Sequence, residues 1–322
     1  MTRCPPERAQ RAVVVDVGTT KVTVLVAEAP DGDLVVQSAR EEAWDLVADG
    51  VVVDPERAAR HLRDVARCAG VAVDEPADAV WVPTTALRGA LATVERAGLL
   101  LAGVVPAAVA SAASVCTPEE IESGVVVLDL GAGGTGLCAL AGGEVCHQSV
   151  LAFGAHELTA ELARGLGVSL ASAEQVKRAH ACALAWLVQE REEVTLPEGG
   201  RAVSRRRLSA LCAPLLDDLF ATVAARIAPL DVCCGGSPTC VLTGGGAALA
   251  GLVEHAEIVL GMPTRIGRPR ALRGAADGVG GLGHAAVTGA AALQVGWHPA
   301  LSAPASLTPS VAPVEPAVVG AA

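Results

Sequence analysis

Two β-branched runs open the chain, RAVVVDV at 11–17 and VTVLVAEA at 22–29, separated by Gly-Thr-Thr-Lys. Runs of this kind around a short glycine-bearing turn predict two antiparallel strands. A third strand is expected over 33–39, after the turn Pro30-Asp31-Gly32. The period then changes from two to that of a helix. Asp54-Pro55 offers a cap and a first-turn proline, and Ala58, Leu62, Val65, Ala66 and Ala69 follow on one helical face. A short strand at 79–82 comes next, then a helix near 85–97 carrying Leu87, Leu91 and Val94. A strand at 100–105 and a helix from Pro106 complete the order β-β-β-α-β-α-β-α.

The pattern then restarts. Residues 125–130 read as a strand that ends beside Asp129, a glycine-rich turn leads into a strand at 137–140, and Gly142-Gly143 turns the chain into another at 145–150. Helices are expected at 155–167 and 172–188. A long amphipathic one at 204–229 is capped by Ser204, with Leu208, Leu211, Leu215, Leu219 and Val223 on one stripe. A strand at 239–243, a turn at Gly244–Gly246, a helix at 247–260 and a last helix near 284–295 follow. The chain therefore reads as an internal duplication. Each copy opens with an Asp at the end of its first strand and a Gly/Thr turn into its second.

The 322 residues suffice for a large two-lobed domain. With 52% hydrophobic residues, mostly Ala and Val, and no Tyr, the core rests on small aliphatic side chains. The formal net charge is −11, and the densest basic run is Arg205-Arg206-Arg207, which argues against a nucleic-acid partner or an anionic-membrane patch. The most apolar stretch, 98–113, is interrupted by Gly103 and Pro106 and fits a strand plus helix better than a membrane span. The polar, proline-bearing start at 1–10 lacks a signal-peptide pattern, so ten reduced thiols and a cytoplasmic location are expected. Cys233, Cys234 and Cys240 lack the paired spacing of a zinc knuckle. The Pro/Ala/Val-rich stretch 298–322 has no Lys or Arg and reads as a disordered tail.

The chemistry is concentrated in three turns. In Asp16-Val17-Gly18-Thr19-Thr20-Lys21, the glycine lets backbone N–H groups approach an anion, the threonines add hydroxyls and Lys21 a compact cation. Asp16 suits a hydrated Mg²⁺, which prefers a carboxylate plus waters. Alone, such a tip is as readily an ordinary hairpin. Asp129-Leu130-Gly131-Ala132-Gly133-Gly134-Thr135 repeats the same logic, and two facing copies would clamp a triphosphate, with the metal between the carboxylates. The third turn, Gly244-Gly245-Gly246 after a strand, would let backbone lie along an adenosine or aim a helix N-terminus at phosphate.

In this order, D-V-G-T-T-K (16–21), D-L-G-A-G-G-T (129–135) and V-L-T-G-G-G-A (241–247) resemble the actin, heat-shock ATPase and sugar-kinase superfamily. Within it the chain looks most like FtsA, the bacterial actin-like cell-division protein. D-G-V-V-V-D (49–54), E-R-A-G-L (95–99), V-S-R-R-R-L (203–208), L-G-M-P-T-R-I-G (260–267) and H-A-A-V-T-G-A-A (284–291) carry that likeness. The resemblance implies an α/β actin-like ATPase fold of ribonuclease H-like duplicated type, with a nucleotide cleft between two lobes. Residues 11–123 would form the first lobe, with 281–297 packing back on it, and 124–280 the second. It implies ATP and Mg²⁺ as cofactors. Asp16 and Asp129 would be the metal-side carboxylates acting through water, and the only catalytic candidates. Gly18, Thr19, Thr20 and Lys21, with Gly131, Gly133, Gly134 and Thr135, would bind phosphates; Gly244, Gly245 and Gly246 would flank adenosine. Glu174 and Lys177 match an E-x-x-K pattern that lies along ribose and base in relatives, although that spacing is also an everyday helix-surface ion pair.

Departures from the family pattern shape the expected function. Relatives begin the connecting helix with Glu-Pro, and the acid orients the attacking water; here the pair is Val105-Pro106. Where the second phosphate turn usually ends in Asp, Gly136 stands. Binding with weak or absent hydrolysis is expected. The interval 54–85 leaves no room for FtsA's inserted subdomain, and 298–322 shows no basic amphipathic segment for a membrane anchor. An assembly or scaffold role in cell division follows, with self-association or a protein partner such as the division tubulin. The alternatives are a EutJ-like chaperone-type ATPase core serving an ethanolamine-utilisation microcompartment, and a small-molecule kinase. The latter needs a sugar-binding insertion that is not seen.

Overall fold

The computed structural model describes residues 11–30, 34–48, 51–72, 76–81, 87–230, 238–270, 273 and 279–296. The expected tail at 298–322, the Cys233-Cys234 pair, and the turn residues Asp31 and Gly32 lie outside them.

The chain begins with three strands, β1 (Arg11–Val17), β2 (Lys21–Glu28) and β3 (Val35–Ala43). A short ribbon of β4 (Val47–Ala48) and β5 (Val51–Val52) follows, then α1 (Pro55–Cys68), β6 (Pro76–Trp81), α2 (Leu87–Arg96), β7 (Leu100–Pro106) and α3 (Ala107–Val115). A capped turn of helix, α4 (Pro118–Ser123), leads to β8 (Val125–Leu130), β9 (Thr135–Ala141) and β10 (Glu144–Leu151). Next come α5 (Ala155–Leu166), α6 (Leu170–His180), a hairpin of β11 (Glu193–Thr195) and β12 (Ala202–Ser204), and the long α7 (Arg205–Ile227). The last elements are β13 (Thr239–Thr243), α8 (Leu252–Leu260), β14 (Thr264–Ile266) and α9 (Ala285–Gln294).

The duplication is visible in the sheets. One runs β3-β2-β1-β6-β7 and the other β10-β9-β8-β13-β14. In each, a three-stranded antiparallel meander is extended from its first strand by two parallel strands. Parallel extension needs crossover helices, and both faces of such a sheet are then covered. Accordingly β1 and β8 are nearly continuous apolar runs, buried almost from end to end. Valines 13, 15, 22, 24 and 26 pack on α1, and the alternate residues Ala12, Val14, Leu25 and Ala27 pack on α3 and α9. In the second sheet Leu128, Leu137 and Leu242 meet α5 and α7.

Helices α3 and α9 cross between the lobes. Alanines dominate both, and a Cβ at Gly289 would run into the carbonyl of Ala110, so the two backbones are in direct contact. Ser114 and Thr288 hydrogen-bond across the crossing at 2.8 Å. Small side chains here have a structural use: they let the helices that join the lobes approach closely.

Several expectations need revision. The third strand continues four residues past the expected end, to Ala43, which places Glu41 inside the sheet. The second helix of the later half stops at His180 instead of 188: Ala181 turns extended, at ψ 148°, and the Nε of Arg205 donates to the His180 carbonyl at 2.7 Å. Ser204 precedes α7 as expected, but its side chain makes no capping bond. The stripe of α7 is rotated: Leu208, Cys212, Leu216, Leu219, Phe220 and Val223 are buried, whereas Leu211 and Leu215 lie at the margin. The helix expected at 247–260 is interrupted by Gly251 at φ 73° and becomes a short 3₁₀ turn followed by α8. The arginine run bonds to backbone carbonyls at the ends of a turn and a helix: Arg206 donates to the carbonyl of Val188 at 3.1 Å, and Arg207 to that of Gly165 at 2.8 Å. By length and composition α7 could span a membrane, but its apolar stripe forms the core of the second lobe.

Candidate functional site

The two glycine turns are local copies of one another. The amide of Gly18 donates to the carbonyl of Lys21 at 3.0 Å, and that of Gly131 to Gly134 at 2.9 Å. Each closes an antiparallel hairpin whose first strand carries a carboxylate two residues before the glycine. The tips face each other across the lobes: a Cβ at Gly133 would lie 2.8 Å from the Thr19 hydroxyl. A side chain at 133 would require Thr19 to shift. The turns at 18–21 and 131–135 therefore meet, Thr19 against Gly133.

Neighbouring elements fix each tip. The indole Nε1 of Trp44 donates to the Gly18 carbonyl at 2.8 Å, and its amide to Thr20 at 2.9 Å. On the other side the amides of Ala155 and His156, in the first turn of α5, donate to the carbonyls of Gly131 and Ala132, each at 2.9 Å. The hydroxyl of Thr135 is turned away to the carbonyl of Phe153 at 2.7 Å. Gly244, at φ 83°, brings the third turn against Asp129 and Leu130, where a Cβ would collide with the Asp129 Oδ1. Gly246 lies between Leu130 and Ala155. A Cβ on Gly245 would meet open space.

Asp16 and Asp129 are 8% and 9% exposed, rare burial for carboxylates. Burial pushes the Asp16 carboxyl up to about 6; Lys21 opposes this and the charge of Asp129 adds to it. Burial likewise pushes Asp129 up to about 6, against the hydroxyl of Ser111, which donates to its Oδ2 at 2.6 Å. Two such carboxylates suit a divalent cation held through waters. Among the described residues, no group of three or more His, Cys, Asp or Glu forms a closed metal cage. Cys240 is a buried strand residue whose thiol burial pushes up to about 12.

Lys21 is not free at the tip. Its ammonium pairs with Glu41 and donates to the carbonyl of Gly283 at 3.1 Å. Glu41 also accepts from Thr23 at 3.4 Å and contacts the Nε2 of His284 at 2.8 Å. The His284 hydrogen bond, with help from Lys21 and against partial burial, holds the Glu41 carboxyl down at about 2. Sequence reasoning missed Glu41, His284, Ser111 and Trp44. Strand pairing puts Glu41 in line with the site, because Asp16 pairs with Thr23 and Thr23 with Glu41 in one row across three strands. A strand ended at residue 39 hides that row.

Glu174 and Lys177 sit on α6, facing α5. Lys177 donates to the Ala155 carbonyl and the Thr159 hydroxyl, both at 2.7 Å, and pairs with Glu174 at 2.7 Å. Burial raises the Glu174 carboxyl, but hydrogen bonds from Lys177, Thr159 and Arg178 outweigh it and hold the group at about 2. The pair lies beside the Ala155–Gly246 contact, at the edge of the third glycine turn.

The two positions at which this chain lacks an expected acid, Val105 and Gly136, are closely packed in the structure. A Cβ at Gly136 would lie 2.9 Å from the methyl of Ala108, so α3 occupies the space an aspartate would need. Val105 packs with the alanines of α3 and α9.

Comparison with known proteins agrees with this architecture. The family model for Cell division protein FtsA matches residues 126–289, half of the chain. Curated FtsA proteins from Pseudomonas aeruginosa and Agrobacterium fabrum are 31% and 30% identical over 74% of this chain, which covers 58% and 55% of their own lengths. Among solved structures, EutJ from Carboxydothermus hydrogenoformans superposes with a TM-score of 0.63 at 21% identity, covering 91% of this chain and 92% of that one. A PilM–PilN type IV pilus biogenesis complex gives 0.69 at 16%, covering 89% and 99%. MreB5 of Spiroplasma citri bound to ADP gives 0.65 at 15%, covering 88% and 95%. With the family match, the duplicated sheets and the paired glycine turns in hand, this chain belongs to the FtsA family of actin-like proteins.

Proposed function

We propose that the chain binds ATP with Mg²⁺ between its two glycine tips and serves as an assembly or docking protein in cell division, with little or no hydrolysis. The observation that carries the reading is the Thr19–Gly133 approach, which brings the two turns together with Asp16 and Asp129 buried at the strand ends behind them. Backbone N–H groups of both tips would cradle the phosphates, and Asp16 and Asp129 would hold the hydrated metal. MreB5 in the superposed structure carries ADP, which supports a nucleotide in the equivalent cleft. Both lysines of the sequence, Lys21 and Lys177, stand at this site, while the remaining 22 basic residues are arginines. A lysine is a compact cation on a flexible stem, suited to a phosphate that arrives and leaves.

The hydrolytic machinery is thin. Val105 offers no base to orient water, and Ala108 fills the place beside Gly136. Calorimetry of Mg–ATP and Mg–ADP on the wild type, Asp16→Ala and Asp129→Ala tests the binding. Micromolar binding by the wild type with at least tenfold loss in both variants is expected. A wild type that binds neither nucleotide overturns the proposal. Phosphate release at rates matching active relatives would refute the low-turnover part alone.

Family membership favours an assembly role over a chaperone-type one, since the likeness to EutJ concerns the fold. The short passage from α1 to β6 does suit a compact core. Nucleotide-dependent capture of unfolded enzyme would favour that second reading.

A further inference from the structure

We infer that Glu41 is a positioning residue that competes with the nucleotide phosphates for Lys21, and that His284 makes the exchange possible by keeping Glu41 paired when Lys21 leaves. The inference rests on the nucleotide-binding reading and goes beyond it, because it assigns the state of the phosphate cation before any ligand arrives.

The ammonium of Lys21 is held between the Glu41 carboxylate and the Gly283 carbonyl. It adjoins Thr20 at the tip, yet it points toward the third strand. To meet a phosphate at the tip, Lys21 must give up Glu41. An ionised carboxylate left unpaired in a half-buried place would oppose that move. Here it is not left unpaired: His284 stays at 2.8 Å and Thr23 at 3.4 Å. The carboxyl is held at about 2, so Glu41 stays ionised throughout neutral pH.

The strap that carries His284 also spans the cleft. Gly283 receives Lys21, and the neighbouring Leu282 carbonyl accepts the amide of Gly244 at 3.2 Å. Release of Lys21 therefore loosens a segment that touches the glycine turn of the other lobe. The second lobe has no counterpart to this latch: Gly134 occupies the turn position of Lys21, and Val150 the row position of Glu41.

The lysine and glutamate side chains are 27% and 40% exposed, so their pairing is modest in strength. A merely structural ion pair predicts that its removal leaves nucleotide affinity unchanged or weaker. Competition predicts a gain. Glu41→Gln should tighten Mg–ATP binding about 2- to 10-fold, as expected for loss of a partly exposed rival pairing. His284→Ala, which leaves Glu41 more dependent on Lys21, should weaken it, and the double variant should behave like Glu41→Gln.

A nucleotide-free readout is available because the sequence has two lysines. Mild acylation by an amine-reactive ester, read by mass spectrometry, reports Lys21 against the buried Lys177. Glu41→Gln should raise the Lys21 to Lys177 ratio and His284→Ala should lower it, with unchanged thermal melts confirming folded proteins. If the wild type binds Mg–ATP but Glu41→Gln binds no tighter and labels no faster, the competition is overturned and the nucleotide reading stands. If the labelling shifts as expected but no protein binds nucleotide, the nucleotide reading fails and the competition fails with it.

Discussion

Asp16 and Asp129 are two buried carboxylates at the ends of equivalent strands. Each carboxyl is raised from 3.8 to about 6, chiefly by burial. Between those values the folded chain holds a proton that the unfolded chain has lost. Stability therefore falls as pH rises through this window, and at neutral pH both groups sit ionised at a cost. Each shift corresponds to roughly 2–3 kcal/mol. Asp16→Asn should raise the melting temperature of the nucleotide-free protein at pH 7.5 by several degrees, with the gain shrinking below pH 6. The same variant should lose Mg–nucleotide binding. An unchanged or lower melting temperature at pH 7.5 would show that the carboxylate is not strained there. Wild-type Mg–ATP affinity, followed by calorimetry, should weaken as pH drops below 6 and the two carboxyls take up protons.

Among the elements, α3 and α9 cross in direct backbone contact. Adding a methyl at Gly289 drives it into the backbone carbonyl of Ala110, which cannot yield as a side-chain tip can. Gly289→Ala should destabilise the protein by about 2 kcal/mol or more, the scale of overpacking, in urea unfolding. A change below about 0.5 kcal/mol, the scale of ordinary surface substitutions, would mean the helices slide apart freely. Gly136 in β9 is under the same constraint from Ala108. Restoring the family's acid there would move α3 before it could assist any chemistry. In the second lobe, Arg205, Arg206 and Arg207 each donate to a backbone carbonyl at the end of a helix or turn, which joins α5, α6 and the segment near Val188 to the start of α7.

For the molecule as a whole, two equivalent five-stranded sheets are joined by α3 and α9, and the space between them is bordered by loops from both halves and by the strap at 281–284. Seven residues separate α1 from β6, a short passage in the first lobe. The proposed assembly role is tested at this scale. Sedimentation with Mg–ATP, Mg–ADP and no nucleotide tests this: pelleting that depends on ATP and disappears in Asp129→Ala is the expected result. A chain that stays in the supernatant under all three conditions, alone and with division tubulin, would remove the assembly role and leave the binding site.

The sequence alone determined the repeat, the strand-end carboxylates, the glycine turns and the family. Each is written in neighbouring residues: β-branched runs specify strands, and glycine specifies where backbone must come close. It also set the face of α1, where Asp54 caps the helix and Ala58, Leu62, Val65 and Ala66 are buried as their spacing requires. The partners of those residues came from the tertiary structure. Glu41 and His284 are 243 positions apart, and no local pattern links them; a strand register and a returning helix bring them to Lys21. The rotated stripe of α7 and the early end of α6 have the same origin, since packing and arginine hydrogen bonds from distant segments outweigh local propensity. Short-range chemistry thus places the glycine turns and their carboxylates, and long-range packing decides which groups each of them meets.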